Sequence, residues 1–424
     1  MYWLVETEEQ IDYLLNRGFG EAYMEVIPIS HNQHPAINDV SLVYYRPTND
    51  TKGYMICVNH SEGLSVNKTR VNELLEQTKK LWTLDKKDTL FYFPLKSLLD
   101  VNLISPTYIQ EPTAAHSILE QRYNNKQDLN RIVPIVKHYE RSETTYNAIK
   151  HKFNEVLLPH FEFYNKWATL AFFGIERNGI KIDKDEFKKH FDRDPQDEFV
   201  FTSYNLKTLT TRPSNKYDGI NYAALNKENG CRKSFIPRND VFVEYDISAY
   251  HPTLSGHLID FDFGDDDIHK TFASMYGVDY KKAKELTFKQ LYGGVFKEYE
   301  HLEYFKKIKL YIDELWDNFT ENGWIESPIS GYQFNEDELD NMNPQKLFNY
   351  VLQNLETATN IRILIELHKL LRGKKSKIVL YTYDSFLFDL DESEDLIKEI
   401  EQVFKKYKVN VKSSYGRNYD FGTA

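Results

Sequence analysis

The sequence predicts an α+β protein carrying a separate α/β unit at its N-terminus, on three observations. Its 424 residues, 41% hydrophobic and 15% aromatic, supply apolar surface for two or three packed domains and far too much for a disordered chain. Residues 1 to about 140 alternate short β-rich runs with helix-like stretches, the pattern of a small α/β unit. From about Asp192 onward strands and helices mix unevenly, which suits α+β better than a regular βαβ repeat.

The elements follow in order. The opening MYWLVETEEQIDYLL reads as a strand and then a helix, without the basic start and small-residue cleavage site of a signal peptide. Strands are expected in GEAYMEVIPIS, DVSLVYYRP and GYMICVNH, and helices in TRVNELLEQTKKLW and AHSILEQRY. A long helical stretch, TTYNAIKHKFNEVLLPHFEFYNKWATLAFFGIERNGIKID, comes next, with Pro159 as a break inside it and Asn178-Gly179 as its stop. The expected division is therefore residues 1–140, a helical connector at 141–191, and a chemistry-bearing region at 192–424. No apolar run approaches the ~20 residues of a membrane span, so no membrane partner is expected. Cys57 and Cys231 lie far apart without metal-ligand spacing, which fits a reducing cytoplasm.

Charge alone speaks against a nucleic-acid partner, because 53 basic minus 64 acidic residues leaves −11. Distribution reverses that reading. The runs YKKAK (280–284), FKKIK (305–309), LRGKKSK (371–377) and FKKYKVNVK (404–412) interleave lysines with aromatic residues in the last region, as a local phosphate track requires. Each run alone reads as a solvated helix face.

Two aspartates mark the chemistry. Asp246 ends the apolar strand VFVEYD, and Asp384 sits between two β-rich runs, KIVLYT and SFLFDLD, at a hairpin turn. They are 384 minus 246, or 138, residues apart, yet both occupy strand ends. Brought together they would repel unless cations neutralised them, and hard carboxylate oxygens suit magnesium, two ions of which serve phosphoryl transfer. Each alone reads as a solvated turn residue. The segment VDYKKAKELTFKQLYGG (278–294) supplies the context: Asp279 as N-cap, Gly293-Gly294 as stop, and Lys281, Lys284, Phe288 and Tyr292 on one helical face. Lysines toward one end and rings toward the other suit a triphosphate and a stacked base.

In that order the motifs DISAYHP (246–252), KELTFKQLYGG (284–294) and YDS (383–385) resemble those of family A DNA polymerases, the group of bacterial DNA polymerase I and its phage relatives. GIERNGIKID, TTRPSN, CRKSFIP, DIH (267–269), NYVLQ (349–353) and GRNYD (416–420) resemble minor signatures of that family and fall in its order, so the resemblance spans roughly residues 170–424. It implies a polymerase palm and fingers, the fingers at about 265–335, behind an N-terminal ribonuclease H-like exonuclease domain. It implies Asp246, Asp384 and the Ile247 carbonyl as ligands of two magnesium ions. Lys284 and His269 would meet the triphosphate of a dNTP, Phe288 its sugar and base, and Tyr292 the template slot. Arg212, Asn349 and Gln353 would lie along the minor groove of primer-template DNA, where contacts check pair geometry without reading sequence.

Departures from the family carry expectations of their own. The position where relatives hold a sugar-gating glutamate is His251; the third motif lacks its second carboxylate, reading Tyr383-Asp384-Ser385; and the family arginine one turn before Lys284 aligns with Tyr280, so Lys281 or Lys282 is expected to supply that phosphate contact. Only about 25 residues separate NGIKID from TTRPSN, where relatives place a long helical thumb, which implies weak DNA grip unless a replisome or processivity partner compensates. The strand AYMEVIPIS offers only Glu25 where an exonuclease needs an Asp-x-Glu pair, and LFYFPLKSLLD lacks the acid expected downstream, so a degenerate domain without nuclease activity is expected. Compactness and a composition heavy in Lys, Asn, Tyr, Phe and Ile suit a phage, which would act in host cytoplasm. Two rival readings stay open: a single-subunit RNA polymerase, and a non-catalytic polymerase-like scaffold that binds nucleic acid.

Overall fold

The computed structural model describes residues 2–29, 34–84, 90–93, 129–154, 163–191, 197–206, 208–215, 220–264 and 267–421. The chain forms two compact units, Met1–Asn178 and Gly179–Ala424, so the stretch expected as a connector, 141–191, divides at Asn178. The physical reason is packing: the helix Ile135–Ile149 buries Tyr146 with the first unit's strands, whereas Ile180–Ile182 pairs with strands of the second.

In the first unit, β1 (Trp3–Val5) leads into α1 (Glu8–Arg17). A reciprocal capping box starts that helix: the Gln10 amide donates to Thr7 Oγ1 at 3.3 Å, and the Thr7 amide to Gln10 Oε1 at 3.1 Å. Next come β2 (Glu21–Pro28), β3 (Val40–Pro47) and β4 (Tyr54–Cys57), an antiparallel meander. α2 spans Lys68–Gln77, β5 Lys80–Leu84 and β6 Leu90–Phe93. The sheet order is β1-β4-β3-β2-β5-β6, with β1 parallel to β4 and β5 parallel to β2. The helix expected through Trp82 thus stops at Gln77. Trp82 is instead a fully buried strand residue, stacked on Phe153 with centroids 4.8 Å apart. α3 (Ile135–Ile149) packs Ile135 and Tyr146 against Tyr23, Leu42 and Tyr44 of the sheet, and α4 covers Thr169–Glu176. The expected helix AHSILEQRY and Pro159 lie outside the described residues.

The second unit opens at the expected stop. Gly179 has φ +62°, and a Cβ there would sit 2.6 Å from the Phe201 ring, so both conformation and space require glycine. β7 (Ile180–Ile182) pairs with β8 (Phe199–Val200) and β9 (Phe235–Ile236). Between β7 and β8 the described residues hold one short helix, α5 (Lys184–His190), capped by Asp183. β10 (Val241–Ile247) is followed by α6 (Tyr250–Leu258), α7 (Ile268–Tyr276), α8 (Tyr280–Gly293) and α9 (Glu303–Asn322). A small hairpin, β11 (Trp324–Glu326) and β12 (Gln333–Asn335), precedes the long α10 (Pro344–Leu370). Then come β13 (Lys377–Thr382), β14 (Ser385–Leu390), α11 (Ile397–Lys406) and β15 (Val411–Gly416).

These strands make an antiparallel sheet ordered β13-β14-β10-β15, with β10 inside it. The alternation of side chains along β10 explains its sequence. Tyr245 turns to α11, its ring 5.5 Å from Phe404 and 5.5 Å from Phe388. Phe242, Glu244 and Asp246 share the other face, where Phe242 is buried with Ile180, Phe187 and Tyr419. The molecule is a mixed α+β protein, and none of its described helices is long and apolar enough to cross a membrane.

Candidate active site

Sheet register assembles the site. Asp246 pairs across β10 with Ser385 on β14 and with Lys412 on β15, so all three stand on one face. The Ile247 amide donates to the Asp384 carbonyl at 2.8 Å, which brings the two distant acids to adjoining chain positions. Only Tyr383 and Asp384 link β13 to β14, and Tyr383 takes φ +60°, the left-handed value such a two-residue link demands. Ala249, which caps α6 just after β10, is left-handed too, at φ +48°. Buried Asn360 holds this geometry: its Nδ2 donates to the Tyr383 carbonyl at 2.7 Å and to Tyr381 Oη at 2.8 Å, while its Oδ1 accepts from Tyr250 Oη at 2.7 Å. Strain of this kind persists only where the surroundings over-determine it.

Around this corner lies a cavity of about 210 Å³, lined by Asp246, Ile247, Asp384, Arg212, His251, His269, Lys284, Phe288 and Tyr292 among others. Partial desolvation, then the charges of Asp384 and Glu244, push the Asp246 carboxyl up to about 6, against the pull of Lys227 and Lys284. The Asp384 carboxyl is also raised, chiefly by desolvation. Two carboxylates that resist joint ionisation, presenting hard oxygens to a shared cavity, fit a divalent cation.

A second charged group sits beside them. Glu356 of α10, only 2% exposed, accepts from Arg212 Nε at 2.9 Å and Nη2 at 3.2 Å, and from His251 Nε2 at 2.7 Å. Burial pushes its carboxyl up, but hydrogen bonding by His251 and the charges of His251 and Arg212 more than reverse this, leaving it below the usual glutamate value. With Nε2 donating to Glu356, His251 places Nδ1 within hydrogen-bond distance of the Tyr292 hydroxyl, 2.8 Å away. Arg212 also stacks its guanidinium 4.0 Å over the Tyr383 ring.

α8 starts and stops where its sequence predicts, with Asp279 accepting from the Lys282 amide at 3.0 Å and Gly294 at φ +104°. Its cavity-lining residues are Tyr280, Lys284, Phe288 and Tyr292, one turn apart. Phe288 stacks on Tyr292, and the His269 ring packs against both Tyr280 and Phe288. Lys281, expected on this face, is exposed and outside the lining, and Lys282 sits 3.7 Å from Glu285. At the first turn the wall is α7, and the residue facing it is Tyr280, whose hydroxyl reaches Asp267 at 3.4 Å. Asn349 and Gln353 also stand outside the lining, on the turns of α10 before Glu356. Asn349 Nδ2 donates to the Tyr292 carbonyl at 3.1 Å, and Gln353 Oε1 accepts from Thr210 at 3.0 Å.

Sequence reasoning missed Glu356, Tyr280 and Lys412 as lining residues. Glu356 had a signal: a lone acid in the run YVLQNLETATNIRILI, three residues after Gln353. Lys412 had none beyond its basic run, because only strand register sets it opposite Asp246.

No known protein family and no curated protein matches the sequence. Among solved structures the chain is similar to the POL domain of Pol1 from M. smegmatis, described as a complex with DNA primer-template and dNTP. The TM-score is 0.66 over 99% of this chain and 100% of that one, at 14% sequence identity, so what the two share is the fold of a DNA polymerase domain.

Proposed function

We propose that the chain is a template-directed DNA polymerase of the family A type, adding dNTPs to a primer 3′-hydroxyl at the corner formed by Asp246 and Asp384. One observation carries this reading: within a single cavity, Glu356 accounts for Arg212, leaving two carboxylates and two lysines, Lys284 and Lys412, outside ion-pair distance of one another. Carboxylates for metal and ammonium groups for phosphate are the charge pattern a metal-nucleotide needs.

Asp246 and Asp384, with the Ile247 carbonyl, would hold two magnesium ions, and when bound these lower the pKa of the attacking hydroxyl and stabilise charge on the departing pyrophosphate. Lys284 neutralises the triphosphate and donates a proton to the leaving group. His269 adds a phosphate contact, Phe288 packs on the nucleotide, and Tyr292 borders the template slot. Arg212, Asn349 and Gln353 run along the minor-groove side of the primer terminus. His251, buried and held from both ring nitrogens, is a fixed obstacle where a ribose 2′-hydroxyl would enter. Replication of a phage genome is the setting the composition suits.

Primer extension tests the reading. Wild type should extend a primed DNA template with dNTPs and magnesium, and Asp246→Ala or Asp384→Ala should lower the rate on the order of 10³-fold or more. Absence of wild-type extension, or an unchanged rate in Asp246→Ala, would establish the scaffold reading instead; preference for rNTPs would establish the RNA polymerase reading.

We also infer that the N-terminal unit is an exonuclease-like domain without activity. The support lies in Glu25, 7% exposed, whose carboxylate is taken up by the Tyr23 and Ser142 hydroxyls, each at 2.6 Å. The segment expected to carry its partner acid lies largely outside the described residues.

A further inference from the structure

We propose that Lys412, on the edge strand β15, binds the triphosphate of the incoming nucleotide and does the work expected of Lys281 or Lys282. The inference rests on the polymerase reading for the identity of the ligand, and on this structure for the residue.

Four observations lead to it. Lys412 lies directly across from Asp246 in the β10–β15 pair, so its side chain rises from the same face as the metal-binding acid. It lines the cavity with Lys284 and His269. Five other lysines of the basic runs are met by carboxylates on the surface, Lys282 by Glu285, Lys307 by Glu303, Lys309 by Glu300, Lys375 by Asp391 and Lys406 by Glu366. Among the described residues no carboxylate comes within ion-pair distance of Lys284 or Lys412. Finally, His269 is only 4% exposed and its Nδ1 has no hydrogen-bond partner in the protein. A buried polar atom in that condition calls for a ligand.

These groups belong together electrically. The imidazole of His269 is held below its usual pKa by burial first and then by the charges of Lys284 and Lys412, against the pull of Asp267, and both lysines line the same cavity, from α8 and from β15. Two unneutralised cations and an unsatisfied imidazole make a site for a polyanion. The cavity, about 210 Å³, is below the ~300–1,000 Å³ of pockets that enclose whole small molecules, and suits the phosphate end of a nucleotide. At the first turn of α8 the lining residue is Tyr280, where the helix offers a hydroxyl instead of a charge.

Two measurements on the full-length protein test the assignment. Calorimetric titration with inorganic triphosphate should show binding to wild type, about tenfold weaker binding to Lys412→Met, near wild-type binding to Lys412→Arg, and no change in Lys405→Met, an exposed lysine of the same run. In primer extension, Lys412→Met should raise the dNTP KM about tenfold with little change in primer-template Kd. Unchanged triphosphate affinity in Lys412→Met overturns the inference while leaving the polymerase reading standing. An unchanged dNTP KM with weakened primer-template binding also overturns it, by moving Lys412 to the primer backbone. Triphosphate binding that depends on Lys412, in a protein that extends no primer, upholds the anion site and removes the polymerase reading.

Discussion

At the residue scale, Glu356 decides how the site's other side chains stand. It is buried, it grips Arg212 by two hydrogen bonds, and it fixes the His251 ring so that Nδ1 meets the Tyr292 hydroxyl. Removing one member of a buried pair costs ~3–5 kcal/mol, and because the Arg212 side chain is 31% exposed the lower end applies, about 3 kcal/mol for Glu356→Gln at neutral pH. The sign of its pH dependence follows from its lowered carboxyl. Folding favours ionised Glu356, so this contribution is complete above the ordinary glutamate value of ~4.3 and is lost as pH falls through the lowered native value. Thermal unfolding of wild type and Glu356→Gln should therefore show a gap that is constant near neutrality and narrows below pH ~4. His251→Ala, which opens the space before Tyr292, should relax selection of dNTPs over rNTPs on the order of tenfold or more, measured as a ratio of kcat/KM.

At the element scale, the short α5 bears on how the proposed polymerase would hold DNA. Between β7 and β8 the described residues offer one seven-residue helix, and its Lys189 is already paired with Glu186. A polymerase without a basic thumb must grip the duplex through few phosphate contacts. Single-hit primer extension by the purified chain at moderate salt should accordingly give products of a few nucleotides, and raising salt from 50 to 200 mM should shorten them further. Long products under those conditions would show that another element of the chain replaces the thumb. β10 illustrates the opposite case, an element whose every residue has a role readable from alternation: apolar toward α11, apolar then acidic on the other face.

At the scale of the whole molecule, the chain forms two units, and the acidic total of −11 does not argue against the proposed function, because local charge rather than the total decides phosphate binding. Several surface lysines are met by carboxylates, while Lys284 and Lys412, without an ion-pair partner among the described residues, line the cavity. The first unit keeps a six-stranded sheet around Glu25 but commits that carboxylate to hydroxyl groups. Purified protein with magnesium should leave single-stranded DNA intact. Glu25→Ala should not change that outcome, and should destabilise the chain by ~1–3 kcal/mol because two buried hydroxyls lose their acceptor. Degradation that disappears in Glu25→Ala would overturn the reading of this unit.

What the sequence determined by itself is local. Caps and stops wrote the limits of α8 in Asp279 and Gly294, alternation wrote β10, and a two-residue link with a left-handed member wrote the Tyr383-Asp384 hairpin. Those signals are short-range, carried by the conformational preferences of neighbouring residues. The motifs were legible for the same reason, each being contiguous. Tertiary structure alone decided which side chains share the cavity. Helical spacing put Lys281 on a face with Lys284 and Phe288, but the packing of α7 against the first turn of α8 gave the place to Tyr280. Trp82 read as the end of a helix until parallel pairing with β2 drew it into a sheet. Lys412 reaches Asp246 only through the β10–β15 register, and Glu356 reaches Arg212 across 144 residues of chain. Long-range register and helix packing are not written in any window of sequence, because they depend on what the rest of the molecule leaves exposed.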